Sequence, residues 1–159
     1  MEITYFEDVE VGHVEESADV AVDRDEMIAY AKANDPWPIH TDEVAASASP
    51  FGEVIASFGY VVSLFMRAVH QLPSNQESSQ EGFLGALEWR VQFRGAVRGG
   101  DRLHLRSTIT AKRLSSKGGR GVVTEQHELL NQVGEAAVVI ESVSLVLCRP
   151  PAADGPEGV

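Results

Sequence analysis

The sequence predicts an α+β domain in which one long apolar helix is enclosed by a curved antiparallel sheet. Three observations lead there. Residues 54–71 are apolar on every side, with Val54, Ile55, Phe58, Val61, Val62, Leu64, Phe65, Met66 and Val69 covering the whole helical circumference. From about residue 83 onward the period changes to two, broken by glycine-containing turns. The first fifty residues carry only one strand-like run and small helical segments. A helix without a polar face has to be buried, so the strands that follow must wrap it.

Taken in order, residues 14–22 read as a first strand. Asp23 then caps a helix whose apolar positions Met27, Ile28, Tyr30 and Ala31 share one face, and which ends near Asn34 at an Asp-Pro bend. A short helix over residues 41–48 follows, then a turn at Ser49-Pro50-Phe51-Gly52 and the long helix over residues 54–71. Charge enters that helix only at Glu53 and Arg67, and the interval between them is shorter than the roughly 20 apolar residues a bilayer span needs. A core helix is therefore expected, not a membrane anchor. Residues 73–82 form a polar connector. Beyond it Leu87, Trp89, Val91 and Phe93 alternate with Glu88, Arg90, Gln92 and Arg94, as on a half-buried strand. Turns at Arg98-Gly99-Gly100-Asp101, Ser116-Lys117-Gly118-Gly119 and Asn131-Gln132-Val133-Gly134 separate strands over residues 103–114, 121–131 and 135–148. Residues 150–159 have little to bury and are expected to be disordered. With no internal repeat and no long linker, residues 1–149 read as a single domain.

Composition narrows the function. At 159 residues, 43% hydrophobic and 23% charged, the chain is long enough to bury a proper core. A formal charge of −11, from 13 Lys and Arg against 24 Asp and Glu, argues against a nucleic-acid partner. Cys148 is the only cysteine, which excludes an intrachain disulfide or a thiolate metal cluster and makes a reducing cytoplasm the expected setting. The first residues have neither the basic nor the apolar region of a signal peptide.

Asn34-Asp35-Pro36-Trp37-Pro38-Ile39-His40-Thr41-Asp42 carries the chemistry. Each proline presets its own φ and turns the residue before it, Asp35 or Trp37, away from the α region, so a carboxylate and an imidazole share a stiff bend. Thr41 reads as the N-cap of the short helix, with Asp42 and Glu43 in its acidic first turn, which places His40 just outside a helix N-terminus. The positive end of that helix disfavours imidazolium and keeps His40 ready to accept a proton. An ordinary loop, with Asp35 capping a turn and His40 on the surface, uses the same residues and is the simpler reading of this segment taken alone.

Asp35-Pro-Trp-Pro-Ile-His40-Thr-Asp42 resembles the hydratase motif of the MaoC-like dehydratases, which include the (R)-specific enoyl-CoA hydratases. Ser49-Pro-Phe-Gly-Glu-Val-Ile-Ala-Ser57 resembles the segment that leads into that family's central helix, and Arg98-Gly-Gly-Asp101-Arg-Leu-His-Leu resembles its strand-turn-strand continuation. The three blocks occur in the family's order, and the likeness runs from about Tyr5 to Arg149. It implies a hotdog fold and the addition of water to a 2-enoyl thioester. Such an addition needs a base for water, an acid for Cα and donors for an enolate-like oxygen. By the family pattern Asp35 and His40 contact one catalytic water, while a backbone N–H among Ser57, Phe58 and Gly59 polarises the thioester carbonyl. The division of roles between Asp35 and His40 stays open. The resemblance further implies an acyl-CoA or acyl carrier protein substrate, no cofactor beyond the coenzyme A of the substrate, and a pantetheine tunnel between subunits. A homodimer, or a higher oligomer of dimers, is the expected assembly.

Two positions depart from the family. Phe58 stands where a glycine is usual, with Gly59 one residue later, and Trp37 replaces a smaller amide. Phe58 is expected to pack inward against Phe51 and Val62, leaving its amide or that of Gly59 as the donor; Trp37 and Phe51 are expected to line the acyl pocket. Arg90, Arg94 and Arg98 are either a solvated strand face or contacts for coenzyme A phosphates. His13, His70, His104 and His127 are scattered without ligand spacing, so no metal site is expected. Ser57 and Ser63 lack the Gly-x-Ser-x-Gly setting of a nucleophile. A hotdog thioesterase and a non-catalytic acyl-thioester-binding subunit remain as alternatives; His40 speaks against the first, and Phe58 makes the second credible.

Overall fold

In a computed structural model, residues 4–77 and 82–151 are described. A 3-10 turn at Phe6–Asp8 leads to β1 (Val14–Glu16), β2 (Val20–Ala21), α1 (Arg24–Asn34), α2 (Pro38–Thr41), α3 (Glu43–Ser47), α4 (Phe58–Val69) and α5 (Pro73–Glu77). The four long strands follow as β3 (Phe83–Phe93), β4 (Arg102–Leu114), β5 (Arg120–Leu130) and β6 (Ala136–Leu147). They form one antiparallel sheet in the order β1-β4-β5-β6-β3, with β2 also on β4. The sheet lays Leu103 and Leu105 of β4, Leu129 of β5 and Val138 and Ile140 of β6 against Tyr60, Leu64 and Phe65 of α4 in one core. A helix wrapped by an antiparallel sheet in this way is the hotdog fold.

The expected elements are present, and besides the additional helix α2, which stands where a stiff bend is expected, there are four differences. The first strand is split, because Ser17 interrupts it: its hydroxyl accepts the Leu105 N–H while its own N–H donates to the Leu105 carbonyl. Helix α4 starts at Phe58, four residues later than expected. Residues 54–57 are extended instead, since the Ile55 N–H donates to the Ile39 carbonyl and the Ala56 N–H to Val97, which outcompetes a helical turn. The polar connector contains α5, and its residues 78–81, like residues 152–159 of the tail, lie outside the described residues. Finally, the register of β3 against β6 shifts between Ala86 and Glu88, so Leu87 falls out of the alternation that Trp89, Val91 and Phe93 keep.

Burial on α4 is one-sided. Tyr60, Val61, Leu64, Phe65 and Ala68 face the core, whereas Arg67 reaches outward to a bidentate pair with Glu26 of α1, which also accepts the Tyr60 hydroxyl proton. That network ties the two helices. Asp23 caps α1 by accepting the Glu26 N–H, as the sequence predicts. No helix among the described residues is long and apolar enough to cross a membrane.

Candidate active site

Asp35 ends α1, its backbone turned out of the helix at φ −154° and ψ 70° ahead of Pro36. Pro38 occupies the first position of α2, where its missing N–H costs nothing, and this four-residue helix carries His40 near its end. His40 is thus inside a helix, not just outside one. The N-cap of the next helix is Asp42, not Thr41: the Asp42 carboxylate accepts the Ala45 N–H, while the Thr41 hydroxyl turns back to the Trp37 carbonyl. The expected helix dipole at His40 is therefore replaced by a specific bond. Nδ1 of His40 lies 2.8 Å from the carbonyl oxygen of Ile55. A carbonyl only accepts, so Nδ1 carries a proton, and in the neutral imidazole Nε2 is the nitrogen with the lone pair. Nε2 faces Asp35 Oδ2 at 3.8 Å. The imidazole is 8% exposed as a residue and the carboxylate is more open, so the pair sits at a surface with its basic partner shielded.

Ile55 connects this pair to the start of α4. Its N–H is held by Ile39 and its carbonyl by His40, and two residues later Ser57 becomes the N-cap without a side-chain capping bond. The hydroxyl of Ser57 is buried and has no partner among the described residues. The N–H groups of Phe58, Gly59 and Tyr60 have no intrahelical acceptor, as in every first helical turn, and the positive end of α4 lies at the same place. Gly59 lies close under Tyr30: a Cβ there would come within 2.6 Å of the Tyr30 hydroxyl, so that side chain would have to shift.

In the single chain the aromatic residues Trp37, Phe51 and Phe58 are exposed. Phe58 is 55% exposed and packs edge-on against Phe93, its ring centroid 5.4 Å away, not inward on Phe51 and Val62. Tyr60, Val61 and Leu64 hold the inward positions of the helix, which leaves the first residue turned out. Trp37 is 68% exposed and Phe51 is exposed too. In a single chain neither encloses a substrate. The three arginines are not one cluster either. Arg90 and Arg94 line a depression on the outer face of the sheet with Gln126 and Glu128, and Arg90 pairs with Glu141. Arg98 alone stands beside the segment leading into α4, paired with Glu53 at 2.8 Å. No group of three or more His, Cys, Asp or Glu suited to a metal ion occurs among the described residues.

Sequence reasoning missed the Ile55 carbonyl, which no side-chain pattern signals. It also missed a polar row inside the sheet. Ser107, Glu125, His127, Ser142 and Ser144 are cross-strand neighbours, and four of them are buried. Their spacing by two in strands otherwise apolar at those positions is the signal that exposes them.

Residues 7–130 match the family described as MaoC like domain. A UPF0336 protein of Streptomyces avermitilis is 29% identical over 119 residues, which cover 74% of this chain and 78% of that protein. The crystal structure of a MaoC-like dehydratase from Rhodospirillum rubrum shares 31% identity at a TM-score of 0.80, covering 92% of this chain and 99% of that one. The (R)-hydratase from A. caviae involved in PHA biosynthesis shares 25% identity at a TM-score of 0.65, covering 87% of this chain and 97% of that one. The family match takes in both members of the Asp35–His40 pair and the whole of α4, and on it this chain belongs to the MaoC-like domain family.

Proposed function

We propose that this chain adds water across the double bond of a 2-enoyl thioester to give the (R)-3-hydroxyacyl thioester, and catalyses the reverse dehydration. The observation that carries the reading is the 3.8 Å gap between Asp35 Oδ2 and His40 Nε2, in an imidazole whose Nδ1 is bonded to the Ile55 carbonyl. That gap is too long for a direct hydrogen bond, and one water bonded to both groups spans it. Two acceptors take the two O–H bonds of that water, which turns an oxygen lone pair outward to Cβ. As the C–O bond forms, one water proton passes to the pair and is then delivered to Cα, so the water is consumed whole and the pair is restored. The enolate-like thioester oxygen is held by the free N–H groups at the start of α4. Membership of the family and the likeness to the A. caviae (R)-hydratase support this reading.

A second copy of the chain completes the site. Trp37, Phe51 and Phe58 stand exposed, and β3 is an uncovered edge strand, so a symmetric dimer would bury both and enclose the pantetheine arm. Phe58 also favours a second reading, a non-catalytic acyl-thioester-binding subunit, because its ring stands beside the very amides that would hold the substrate oxygen.

The test is incubation with crotonyl-CoA and a longer enoyl-CoA while enoyl absorbance and free thiol are followed together. Loss of absorbance without thiol is the expected result. Thiol release would make the protein a thioesterase, and tight thioester binding with neither change would establish the non-catalytic subunit.

A further inference from the structure

Helices α1 and α4 pack antiparallel. Glu26, in the first turn of α1, pairs with Arg67 near the end of α4, and one turn further along α1 the side chain of Tyr30 lies over Gly59 at the start of α4. Onward from Tyr30, about 7.5 Å of helix rise leads to Asp35. Tyr30 therefore stands beside the first turn of α4, at the end of the helix pair that carries Asp35.

Its hydroxyl is turned toward that helix start. The oxygen lies 2.6 Å from the point a Cβ on Gly59 would occupy, nearer than Cε1 and Cζ of its own ring at 3.1 and 3.3 Å. In a helix the Cα–Cβ bond tilts toward the N-terminus, so the hydroxyl sits on the side of Gly59 from which the free N–H groups of the first turn emerge. A Cβ is about 2.5 Å from its own backbone nitrogen, which puts the hydroxyl within about 5 Å of the Gly59 nitrogen. One acceptor atom can bond two donors so spaced.

The ring itself is held by packing on Tyr60, centroids 5.6 Å apart, and Tyr60 is anchored by its own hydroxyl to Glu26. A phenylalanine would make the same ring contact. The Tyr30 oxygen, in contrast, makes no hydrogen bond among the described residues although the side chain is half-buried. Ser57, the N-cap, is in the same condition: its hydroxyl is fully buried, has no partner among the described residues and does not cap the first turn. Free amides, two unbound hydroxyls and the positive end of a twelve-residue helix thus meet at one place, which suits an acceptor oxygen that gains negative charge. We propose that Tyr30 is a catalytic residue whose hydroxyl donates to the thioester oxygen beside the α4 amides, a bond that strengthens as the oxygen becomes enolate-like. The phenol keeps its proton, and proton transfer stays with Asp35 and His40. Placing a thioester oxygen here rests on the function proposed above.

Tyr30→Phe keeps the ring on Gly59 and Tyr60 and removes the donor alone. The kcat for hydration of crotonyl-CoA is expected to fall about tenfold to a hundredfold, with KM and the melting temperature close to those of the parent. A residue that only packs would leave kcat where it was. The second readout is the infrared carbonyl band of butyryl-CoA labelled with carbon-13 at the thioester carbonyl, a saturated ligand that cannot be hydrated. Binding to the parent should lower the frequency of that band below its value in solution, and Tyr30→Phe should return part of the shift. Replacing Tyr30 by 3-fluorotyrosine, a stronger donor, should deepen it. An unchanged kcat in Tyr30→Phe, or the same bound carbonyl band in all three proteins, would overturn the proposal. A parent that hydrates nothing, with a carbonyl band that still depends on Tyr30, would sink the hydratase reading and leave Tyr30 as the donor that binds the thioester.

Discussion

The imidazole of His40 donates from Nδ1 to the carbonyl oxygen of Ile55, fifteen residues along the chain and 2.8 Å away in space. This one bond selects the tautomer, holds the ring plane and joins the Asp-Pro bend to the segment leading into α4. It also makes the basic character of Nε2 a consequence of backbone geometry, not of the local sequence around His40.

Asp35→Asn removes a basic carboxylate while keeping the shape of the side chain, and His40→Gln keeps a donor for Ile55 while removing the basic ring nitrogen. Each is expected to lower the rate of hydration by about a hundredfold or more, or some 3 kcal/mol of transition-state stabilisation. Thermal melts should stay close to the parent. Equal turnover by either variant would remove the shared-water mechanism.

Gly121 sits on β5 under the ring of Phe6, so closely that a Cβ would overlap it. Gly121→Ala must therefore displace the N-terminal turn, at a cost of about 1–3 kcal/mol. Denaturant titration should show a lowered midpoint with an unchanged slope. At Gly59 an added methyl meets the Tyr30 hydroxyl instead, and Gly59→Ala should lower activity as well, because Tyr30 packs over the start of α4.

Burial pushes the His127 imidazole down to about 4. The unfolded chain takes up this proton at an ordinary histidine value, so between roughly pH 6.5 and 4 the unfolded state binds more protons than the native one. Stability is then expected to fall as the pH drops through that window, by about 3 kcal/mol from this group. Glu125 acts in the opposite sense: burial and the Glu15 charge raise its proton affinity, which favours the native state as the pH falls. The contribution of His127 is read as the difference between parent and His127→Gln in urea midpoints at pH 7 and pH 4.5. A variant with the same pH dependence as the parent would refute it.

Phe83, Leu84, Leu87 and Phe93 are exposed on β3, an outer strand of the sheet. Light scattering at micromolar concentration should give the mass of a dimer, and Leu87→Lys should shift it toward the monomer with loss of hydration. A monomeric parent that is fully active would contradict the shared site.

Periodicity and turn chemistry made most of the fold legible, since each operates within a few residues. The Asp23 cap, the β4, β5 and β6 strands and the buried α4 all follow from local spacing. The closeness of Asp35 and His40 was legible through the resemblance to the family motif, but the helix α2 that carries His40 was not, since the prolines read as a non-helical bend. What depended on distant partners was not legible. The start of α4 was set by Ile39 and Val97 taking the backbone bonds of residues 55 and 56, and the split of the first strand by Ser17 bonding Leu105. The outward turn of Phe58 and the exposure of Trp37 came from which residues the core had already claimed, and the single polar floor beneath α4 from the register of three strands. Local sequence determines which conformations a segment favours; only tertiary contact decides which backbone groups are already satisfied, which side chains find room in the core, and therefore which donors and acceptors remain for chemistry.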